Sequence, residues 1–328
     1  MKYVIGVDLG GTNIRGAAIS LGGEVLYREK KRTEVSKGRD YVVQNLEELL
    51  LSIEKSMGGA RAEAAGVGVP GIVHFQTGVV EKSPNFPDWV QFNLKKSLEE
   101  RGFLRVVVEN DANAAALGEG WKGAGEKEKS FCVFTLGTGI GGGIVLDGEI
   151  WRGSLGMAGE IGHINIYPDG RTCGCGSRGC MEQYASASGI VKEANSGIDS
   201  PEATALKLAL SQEKEGRLSA SFLYLRAREG DDYAAGVLRK AGKALGIGIT
   251  DLINILNIEL FIIGGGASEA WDQFIGPLKE EIKARAYQYT GDRVQIKKAL
   301  LGDDAGLMGA AFLALSARKA SLPQARQL

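Results

Sequence analysis

The most chemically distinctive segment is "TCGCGSRGC", in which three of the chain's four cysteines, Cys173, Cys175 and Cys180, fall within eight positions. His163, one of only two histidines, precedes them in "GEIGHINI". Structural zinc sites are tetrahedral and commonly use cysteine and histidine ligands, so this Cys₃His set predicts a structural zinc ion. The C-x-C-x4-C spacing differs from the paired CxxC of zinc fingers, and redox thiols or an iron–sulfur centre stay open as alternatives.

Two glycine-rich turns, "DLGGTNIR" and "LGTGIGGG", follow apolar runs of β type. Glycine makes up 48 of the 328 residues, about twice its usual share of ~7%. Backbone amides in such turns point at phosphate oxygens, and the two turns together favour phosphate binding over a plain hairpin. No GxxxxGK[ST] motif occurs, which excludes a Walker P-loop. The "GTGIGG" segment runs into a strand rather than a helix, which disfavours dinucleotide binding.

The first turn adds side chains suited to a nucleotide. Thr12 and Asn13 offer polar groups to phosphate oxygens, and Arg15 has the reach to contact a terminal phosphate. Asp8, at the end of the first strand, is a candidate for holding a hydrated Mg²⁺ ion, which commonly keeps several waters and takes only one or two carboxylates.

Asp111 lies where the buried strand of "VVVENDANAAALGE" runs into an alanine-rich helix. Aspartate is a favoured helix N-cap, and that role alone would explain it. A carboxylate at this junction can also accept the proton of a hydroxyl that attacks a phosphate. Asn110 beside it offers donors and an acceptor for other hydroxyls. Glu182, two residues after Cys180, is by position alone an exposed carboxylate in the first turn of a helix.

The elements that must position these residues alternate between strands and helices, with hairpins between them. The segment "KYVIGVDLGGTNIRGAAIS" predicts a strand, a glycine turn and a second strand, and the same pattern returns in "SFCVFTLGTGIGGGIVLDGEI". This weak internal repeat predicts two related lobes, and the alternation predicts an α/β protein with mixed sheets.

We place a smaller first lobe at residues 1–112 and a larger second lobe, with the zinc-binding loop, at residues 113–302. A final helix at about 303–320 is expected to pack back on the first lobe, and the last residues, "SLPQARQL", are expected to be frayed.

Composition limits the partners. Lys and Arg number 39 against 40 Asp and Glu, a formal net charge of −1, and no long run of one sign occurs. This balance argues against a nucleic acid or an anionic membrane and favours a small molecule. No apolar stretch approaches the roughly 18 residues of a membrane span, and the start "MKYVIGVDLGG" has no signal-peptide pattern. We therefore predict a cytoplasmic protein.

The chain resembles the ROK family of sugar kinases and repressors, most closely its bacterial glucokinases. The resemblance runs nearly end to end through "DLGGTNIRGA", "ENDANAAALGE", "LGTGIGGG", "GEIGH", "CGCGSRGCME" and "GDDAGLMGAA". It implies the actin-like/hexokinase ATPase fold, two lobes with a cleft between them, and transfer of the ATP γ-phosphate to the 6-hydroxyl of a hexose. The "ENDA" segment favours glucose or N-acetylmannosamine over fructose.

The resemblance also assigns roles by position. It implies that Asp111 is the general base and that zinc sits on the Cys₃His set named above. The residues implied to bind the sugar are Gly71, Asn85, Asn110, Asp111, Glu160, His163 and Glu182. The residues implied to hold ATP are Gly10, Gly11, Thr12, Asn13, Thr138, Gly139 and Gly265, and the residue chemistry described above adds Asp8 for Mg²⁺ and Arg15 for a phosphate.

Three alternatives stay open beside the glucokinase hypothesis. The chain is otherwise an N-acetylmannosamine or other hexose kinase, a kinase that uses polyphosphate, or a sugar sensor without turnover. Repressors of the family carry a helix-turn-helix before the first hairpin, and here the hairpin starts within a few residues of Met1, so we expect none. A homodimer is what the family implies.

Overall fold

The computed structural model of the chain describes residues 1–103, 105–213, 216–287 and 290–320. The segment 321–328, expected to be frayed, lies outside these ranges. The strands, in chain order, are β1 (Tyr3–Leu9), β2 (Asn13–Ser20), β3 (Val25–Arg32), β4 (Ala65–Val69), β5 (Ile72–His74), β6 (Val79–Lys82), β7 (Val90–Asn93), β8 (Val106–Asn110), β9 (Phe131–Leu136), β10 (Ile140–Leu146), β11 (Glu149–Ile150), β12 (Leu260–Gly264) and β13 (Gln295–Lys298). The helices are α1 (Arg39–Ser56), α2 (Leu94–Glu99), α3 (Asp111–Lys122), α4 (Glu182–Ala185), α5 (Ala187–Ser196), α6 (Thr204–Gln212), α7 (Ala220–Arg228), α8 (Asp232–Leu256), α9 (Trp271–Arg285) and α10 (Ala305–Ala320).

The first strand is buried on both faces, which explains its continuous apolar run. Successive side chains of a strand point to opposite faces. Ile5 and Val7 accordingly join a core that contains Leu46 and Leu49 of α1, while Val4 packs with residues of α10 on the other face. Strand β1 pairs antiparallel with β2, so the predicted first hairpin is confirmed.

The internal repeat is present in the sheet topology. The first sheet has the order β3-β2-β1-β4-β8 and the second has the order β11-β10-β9-β12-β13. In the first, β1 is parallel to β4, and β4 is parallel to β8. In the second, β9 is parallel to β12, and β12 is parallel to β13. Each sheet therefore adds two parallel strands beside the strand that leads into a glycine turn.

The chain forms two compact units. Within the described ranges, the first contains residues 1–129, 143–159 and 300–320, and the second contains residues 130–142 and 160–299. The first unit extends past residue 112, because α3 packs closely against α10. At Gly309 an added Cβ would overlap the backbone oxygen of Ala114, so only glycine allows this approach. A small third sheet, β5-β6-β7, completes the first unit.

In the second unit the long helix α8 packs along α9. The Asp231 side chain caps α8 by accepting a hydrogen bond from the Ala234 N–H at 2.9 Å, and Asn257 ends it in a left-handed conformation. Among the described residues no helix combines the length and the apolar character needed to cross a membrane.

Candidate active site

The first glycine turn is held from below by a buried threonine. The Gly10 N–H donates to the Asn13 oxygen at 3.0 Å, which closes the turn. The Thr33 hydroxyl donates to the Gly10 oxygen at 2.5 Å, and the Thr33 N–H donates to the Thr12 oxygen at 3.0 Å. Both contacts use carbonyl oxygens of the turn. The polar side chain of Thr33, the residue directly after β3, is a part of the site that sequence reasoning missed.

Asp8 and Arg15 lie opposite each other in the β1–β2 register and form an ion pair. The Arg15 Nε and Nη2 groups both donate to Asp8 Oδ2, at 3.2 and 2.7 Å, and Nη1 lies 2.9 Å from Oδ2 of Asp303. Burial raises the pKa of Asp8, and the Arg15 guanidinium opposes that shift. Arg15 therefore pairs with Asp8 and Asp303, whereas the sequence suggested that it would contact a phosphate.

One face of Asp8 suits a hydrated cation. Both Arg15 donors approach Oδ2 rather than Oδ1. A Cβ built on Gly306 would lie 3.6 Å from Oδ1, an ordinary van der Waals separation, so this oxygen is bordered by a glycine rather than by a larger side chain. Mg²⁺ commonly takes only one or two carboxylates from a protein, which the Oδ1 side of Asp8 can supply.

Helix α3 begins with Asn110 as its cap, and the N-cap interpretation of Asp111 is wrong. The Asn110 Oδ1 atom accepts from the N–H groups of Ala112 and Asn113, at 2.9 and 3.1 Å. Asp111 is the first residue of the helix, and its Oδ1 accepts from the Ala112 N–H at 2.9 Å. Asn110 therefore caps the helix, and the Asp111 carboxylate lies in the first turn, at the helix N-terminus.

Gly71 and Asn85, two further candidates for the sugar site, lie in the first unit, each beside another candidate residue. The Asn110 Nδ2 group donates to the Gly71 oxygen at 3.0 Å, and Gly71 has a φ of +124°, which favours glycine. The Asn85 side chain lies against Gly11, where an added Cβ would come within 2.8 Å of the Asn85 Nδ2 atom. The structure therefore brings Asn85 beside the first glycine turn and Gly71 beside Asn110.

The second glycine turn is joined to Glu182. The Gly137 N–H donates to the Gly139 oxygen at 2.9 Å, and the Ile140 N–H donates to Glu182 Oε2 at 3.0 Å. An added Cβ on Gly139 would overlap that carboxylate oxygen. Glu182 is therefore more than an exposed first-turn carboxylate, because it fixes the residue that follows the turn.

A cavity of about 420 Å³ lies beside this turn, within the second unit. It is lined by Gly137 and Thr138 of the turn, by small and apolar residues of α5, α7 and α8, and by the stretch 266–270. Gly265, with a φ of +84°, directly precedes that last stretch. Its size lies in the range of small-ligand sites, and its apolar walls with a few hydroxyls suit a planar base and a sugar. No sequence motif had marked the residues from the helices.

The Cys₃His set predicted from the sequence comes together in space. The ligand atoms of His163, Cys173, Cys175 and Cys180 all lie within 4.8 Å of one another. The His163 Nδ1 atom is 3.6 Å from the Cys173 sulfur, and the sulfurs of Cys175 and Cys180 are 3.7 Å apart. Zinc bonds of about 2.3 Å to sulfur and about 2.05 Å to nitrogen give tetrahedral edges of roughly 3.8 and 3.6 Å. These separations fit a structural zinc ion.

The imidazole of His163 has two different neighbours. Its Nδ1 atom faces the sulfurs, while its Nε2 atom is 4.0 Å from Oε2 of Glu160. The Gln183 side chain donates to the Cys173 sulfur at 3.5 Å, in the manner of an outer-shell partner. Burial raises the pKa of the Cys180 thiol to about 12, so ionisation of this group calls for a nearby cation.

Comparison with known proteins agrees with this geometry. The sequence matches the model of the ROK family over residues 4–317. The chain belongs to the ROK family. Its α/β architecture, with two related mixed sheets, is the actin-like/hexokinase ATPase fold of ROK kinases.

Individual ROK proteins match along nearly the whole chain. A glucokinase of Halalkalibacterium halodurans is 39% identical over 318 residues, which are 95% of this chain and 94% of that protein. A glucokinase of Thermotoga maritima is 38% identical over 311 residues, which are 94% and 96% of the two chains. A solved ROK family glucokinase of Streptomyces griseus, in complex with glucose and AMPPNP, is 36% identical with a TM-score of 0.81, and covers 96% of this chain and 99% of its own.

Proposed function

We propose that this ROK protein is an ATP-dependent glucokinase, which transfers the γ-phosphate of ATP to the 6-hydroxyl of glucose. The observation that carries this proposal is the position of Asp111, a carboxylate in the first helical turn beside the Asn110 cap. Because Asn110 caps the helix, Asp111 is not needed for that purpose and can serve as a proton acceptor. The glucokinases that match end to end support glucose as the acceptor.

In the proposed reaction, Asp111 accepts the proton of the 6-hydroxyl as that oxygen forms its bond to the γ-phosphorus. The bond from this phosphorus to the bridging oxygen breaks, and ADP leaves with the electron pair. The transition state of such transfers is loose, so catalysis comes from positioning and from donors that meet the spreading charge. We assign those donors to the two glycine turns, at residues 10–13 and at residues 137–139.

The remaining roles follow the same proposal. The residues proposed to contact the hexose are Gly71, Asn85, Asn110, Asp111, Glu160, His163 and Glu182. The nucleoside would occupy the cavity beside Thr138, with Gly139 and Gly265 shaping its approach. Asp8 would hold a hydrated Mg²⁺ ion, which neutralises phosphate charge when bound, and Arg15 would orient Asp8.

We further propose that His163, Cys173, Cys175 and Cys180 hold a structural zinc ion, with Nδ1 as the histidine ligand. That choice leaves the Nε2 atom for a sugar hydroxyl, beside Glu160. Thiolate ligands suit a reducing compartment, so a cytoplasmic location belongs to this proposal, as does the homodimer that the family suggests.

The experiment that tests the function is kcat/KM for glucose, mannose, fructose and N-acetylmannosamine, each with ATP and with polyphosphate. We expect the highest value for glucose with ATP, and phosphorus NMR should identify the product as the 6-phosphate. A higher value for N-acetylmannosamine or for polyphosphate would transfer the proposal to that alternative. If the protein binds glucose but phosphorylates none of these hexoses, the result would favour the sugar sensor instead.

Gly139→Ala tests the contact between the second turn and Glu182. Because the new Cβ would overlap the Glu182 carboxylate, either the turn or the carboxylate must move. We expect KM to rise for both ATP and glucose, by roughly three- to thirtyfold, since displacements of about 1 Å can cost up to 10²-fold. Steady-state kinetics on the purified variant measures both constants.

The matched control is Gly276→Ala, in helix α9. An added Cβ there meets no atom within 4 Å, and alanine is a better helix former than glycine. We expect unchanged kinetics and equal or higher stability in this control. Wild-type constants in Gly139→Ala itself would show that the turn tolerates the displacement, and would contradict the assigned contact.

A further inference from the structure

A buried ion pair lies directly behind the proposed catalytic segment. Glu109, the residue before Asn110, has a side chain that is only 2% exposed, and it pairs with Arg152, which is 24% exposed. The Arg152 Nε and Nη2 groups donate to Glu109 Oε2 at 2.8 and 2.7 Å. Neither residue is among the groups proposed to contact sugar or nucleotide, so the pair needs an explanation of its own.

The other carboxylate oxygen of Glu109 reaches both ends of the first turn of α3. Its Oε1 atom accepts from the Asn110 N–H at 3.0 Å and from the Asn113 side chain at 3.1 Å. The residue that bears the proton acceptor, Asp111, lies between these two contacts in sequence. The Glu109 carboxylate is therefore hydrogen-bonded to residues on both sides of Asp111 in this turn.

The Arg152 guanidinium also has partners other than Glu109. It lies over the Phe75 ring, 3.7 Å from the ring centroid, and its Nη1 group donates to the Ile150 oxygen at 3.4 Å. A planar guanidinium pinned on an aromatic face loses little further freedom when it pairs with a carboxylate. Arg152 thus works as a rigid support, and a buried Glu109 charge requires such a partner.

We propose that Arg152 is a positioning residue for the phosphoryl transfer, acting through Glu109 on the turn that carries Asp111. The inference rests on the proposed function, since it concerns the rate of that reaction. General-base catalysis depends on geometry at the ångström scale, and a displacement of about 1 Å can cost 10²-fold in rate. Binding of ATP, which uses other residues, does not depend on this pair.

The test is the kinetics of Arg152→Met, which keeps the length of the stem and removes the guanidinium. We expect kcat to fall roughly 10- to 100-fold per folded molecule, with KM for ATP within twofold of wild type. The fraction of folded enzyme is fixed by circular dichroism and by titration with a nonhydrolysable ATP analogue. The matched control is Arg101→Met, which removes an arginine that pairs with Glu47 at 3.1 Å in the same unit, and kcat should stay within twofold.

A double-mutant cycle separates positioning from general damage. If Arg152 acts through Glu109, then Glu109→Gln combined with Arg152→Met should lower kcat no further than the more severe single variant. Independent, multiplicative losses in the double variant would overturn the proposal, as would a kcat within twofold of wild type in Arg152→Met. If the methionine variant does not fold, Arg152→Lys serves instead, because an ammonium cannot lie flat on Phe75 while presenting two paired donors. We expect at least a threefold lower kcat in that variant, and wild-type turnover would overturn the proposal.

The two proposals fail in different ways. A wild-type protein that phosphorylates no hexose refutes the proposed function, whatever the variants do. A wild-type glucokinase with active Arg152 variants refutes only the positioning role.

Discussion

Asp111→Asn is expected to lower kcat by roughly 10²- to 10⁴-fold or more, while glucose and ATP still bind with affinities near those of the wild type. The amide has the shape of the carboxylate, and its oxygen can still accept the Ala112 N–H that Asp111 accepts at 2.9 Å. It cannot take a proton from the 6-hydroxyl. The substitution therefore removes proton transfer and leaves the binding groups and the helix start in place.

The measurement is an ADP-coupled rate with glucose, together with calorimetric titration of glucose and of a nonhydrolysable ATP analogue. Asp40→Asn is the matched control, since it makes the same change in the first turn of α1, at a side chain that is 94% exposed. We expect that control to keep wild-type turnover. Near-normal turnover in Asp111→Asn would remove this residue from the mechanism.

The sequence was sufficient to predict the parts of the site that depend on residue type and on local pattern. The glycine turns, the strand-to-helix junction before Asp111 and the Cys₃His set each come from short segments whose chemistry is visible in the residues themselves. The repeated strand–turn–strand pattern also predicted two related sheets, and the topologies of the two sheets agree strand for strand.

The contacts that join these parts were not predicted. The pairing of Asp8 with Arg15 could have been found, because residues directly opposite each other in a hairpin share a face. That Asn110 rather than Asp111 caps α3 could not be predicted, since both residue types are good N-caps and a shift of the helix start by one residue changes which side chain accepts the backbone N–H groups. The contact from Glu182 to the Ile140 N–H spans 42 positions and depends on how the cysteine loop folds.

The nucleoside cavity shows a different limit. Its walls come from five separate stretches of chain, and most of their side chains are small or apolar, the same types as ordinary core residues. No spacing rule distinguishes a residue that lines a cavity from one that packs in a core. Helix α9 was not predicted either, for a separate reason. It carries Pro277 within its helical span, and a proline in the sequence argues against the interior of a helix.

Removal of the proposed zinc ion is expected to affect the two substrates unequally. We expect about one zinc per chain in protein purified without chelators, and its loss in Cys175→Ser. Three residues proposed to contact the hexose depend on this loop: His163 is a ligand, Glu160 lies beside it, and Glu182 follows Cys180 by two residues. Glucose affinity should therefore fall at least tenfold, and the melting temperature should fall as well.

ATP affinity should fall less than glucose affinity, and one hydrogen bond in the structure indicates the size of that fall. The cysteine loop reaches the second glycine turn through Glu182, which accepts the Ile140 N–H. A single hydrogen bond contributes about 1 kcal/mol net, which corresponds to roughly a fivefold change in affinity. Because this contact joins the cysteine loop to the second glycine turn, we expect ATP affinity to fall by up to about fivefold when the metal is lost.

Elemental analysis and calorimetric titration of both ligands measure these effects, with Cys132→Ala as the matched control. Cys132 is buried in β9, outside the Cys₃His set, so its variant should keep the metal and both affinities. Absence of metal from unchelated wild-type protein would refute the zinc site. Equal losses of glucose and ATP affinity in Cys175→Ser would mean that the metal supports the second unit as a whole, because a local brace on the sugar side cannot weaken both ligands alike.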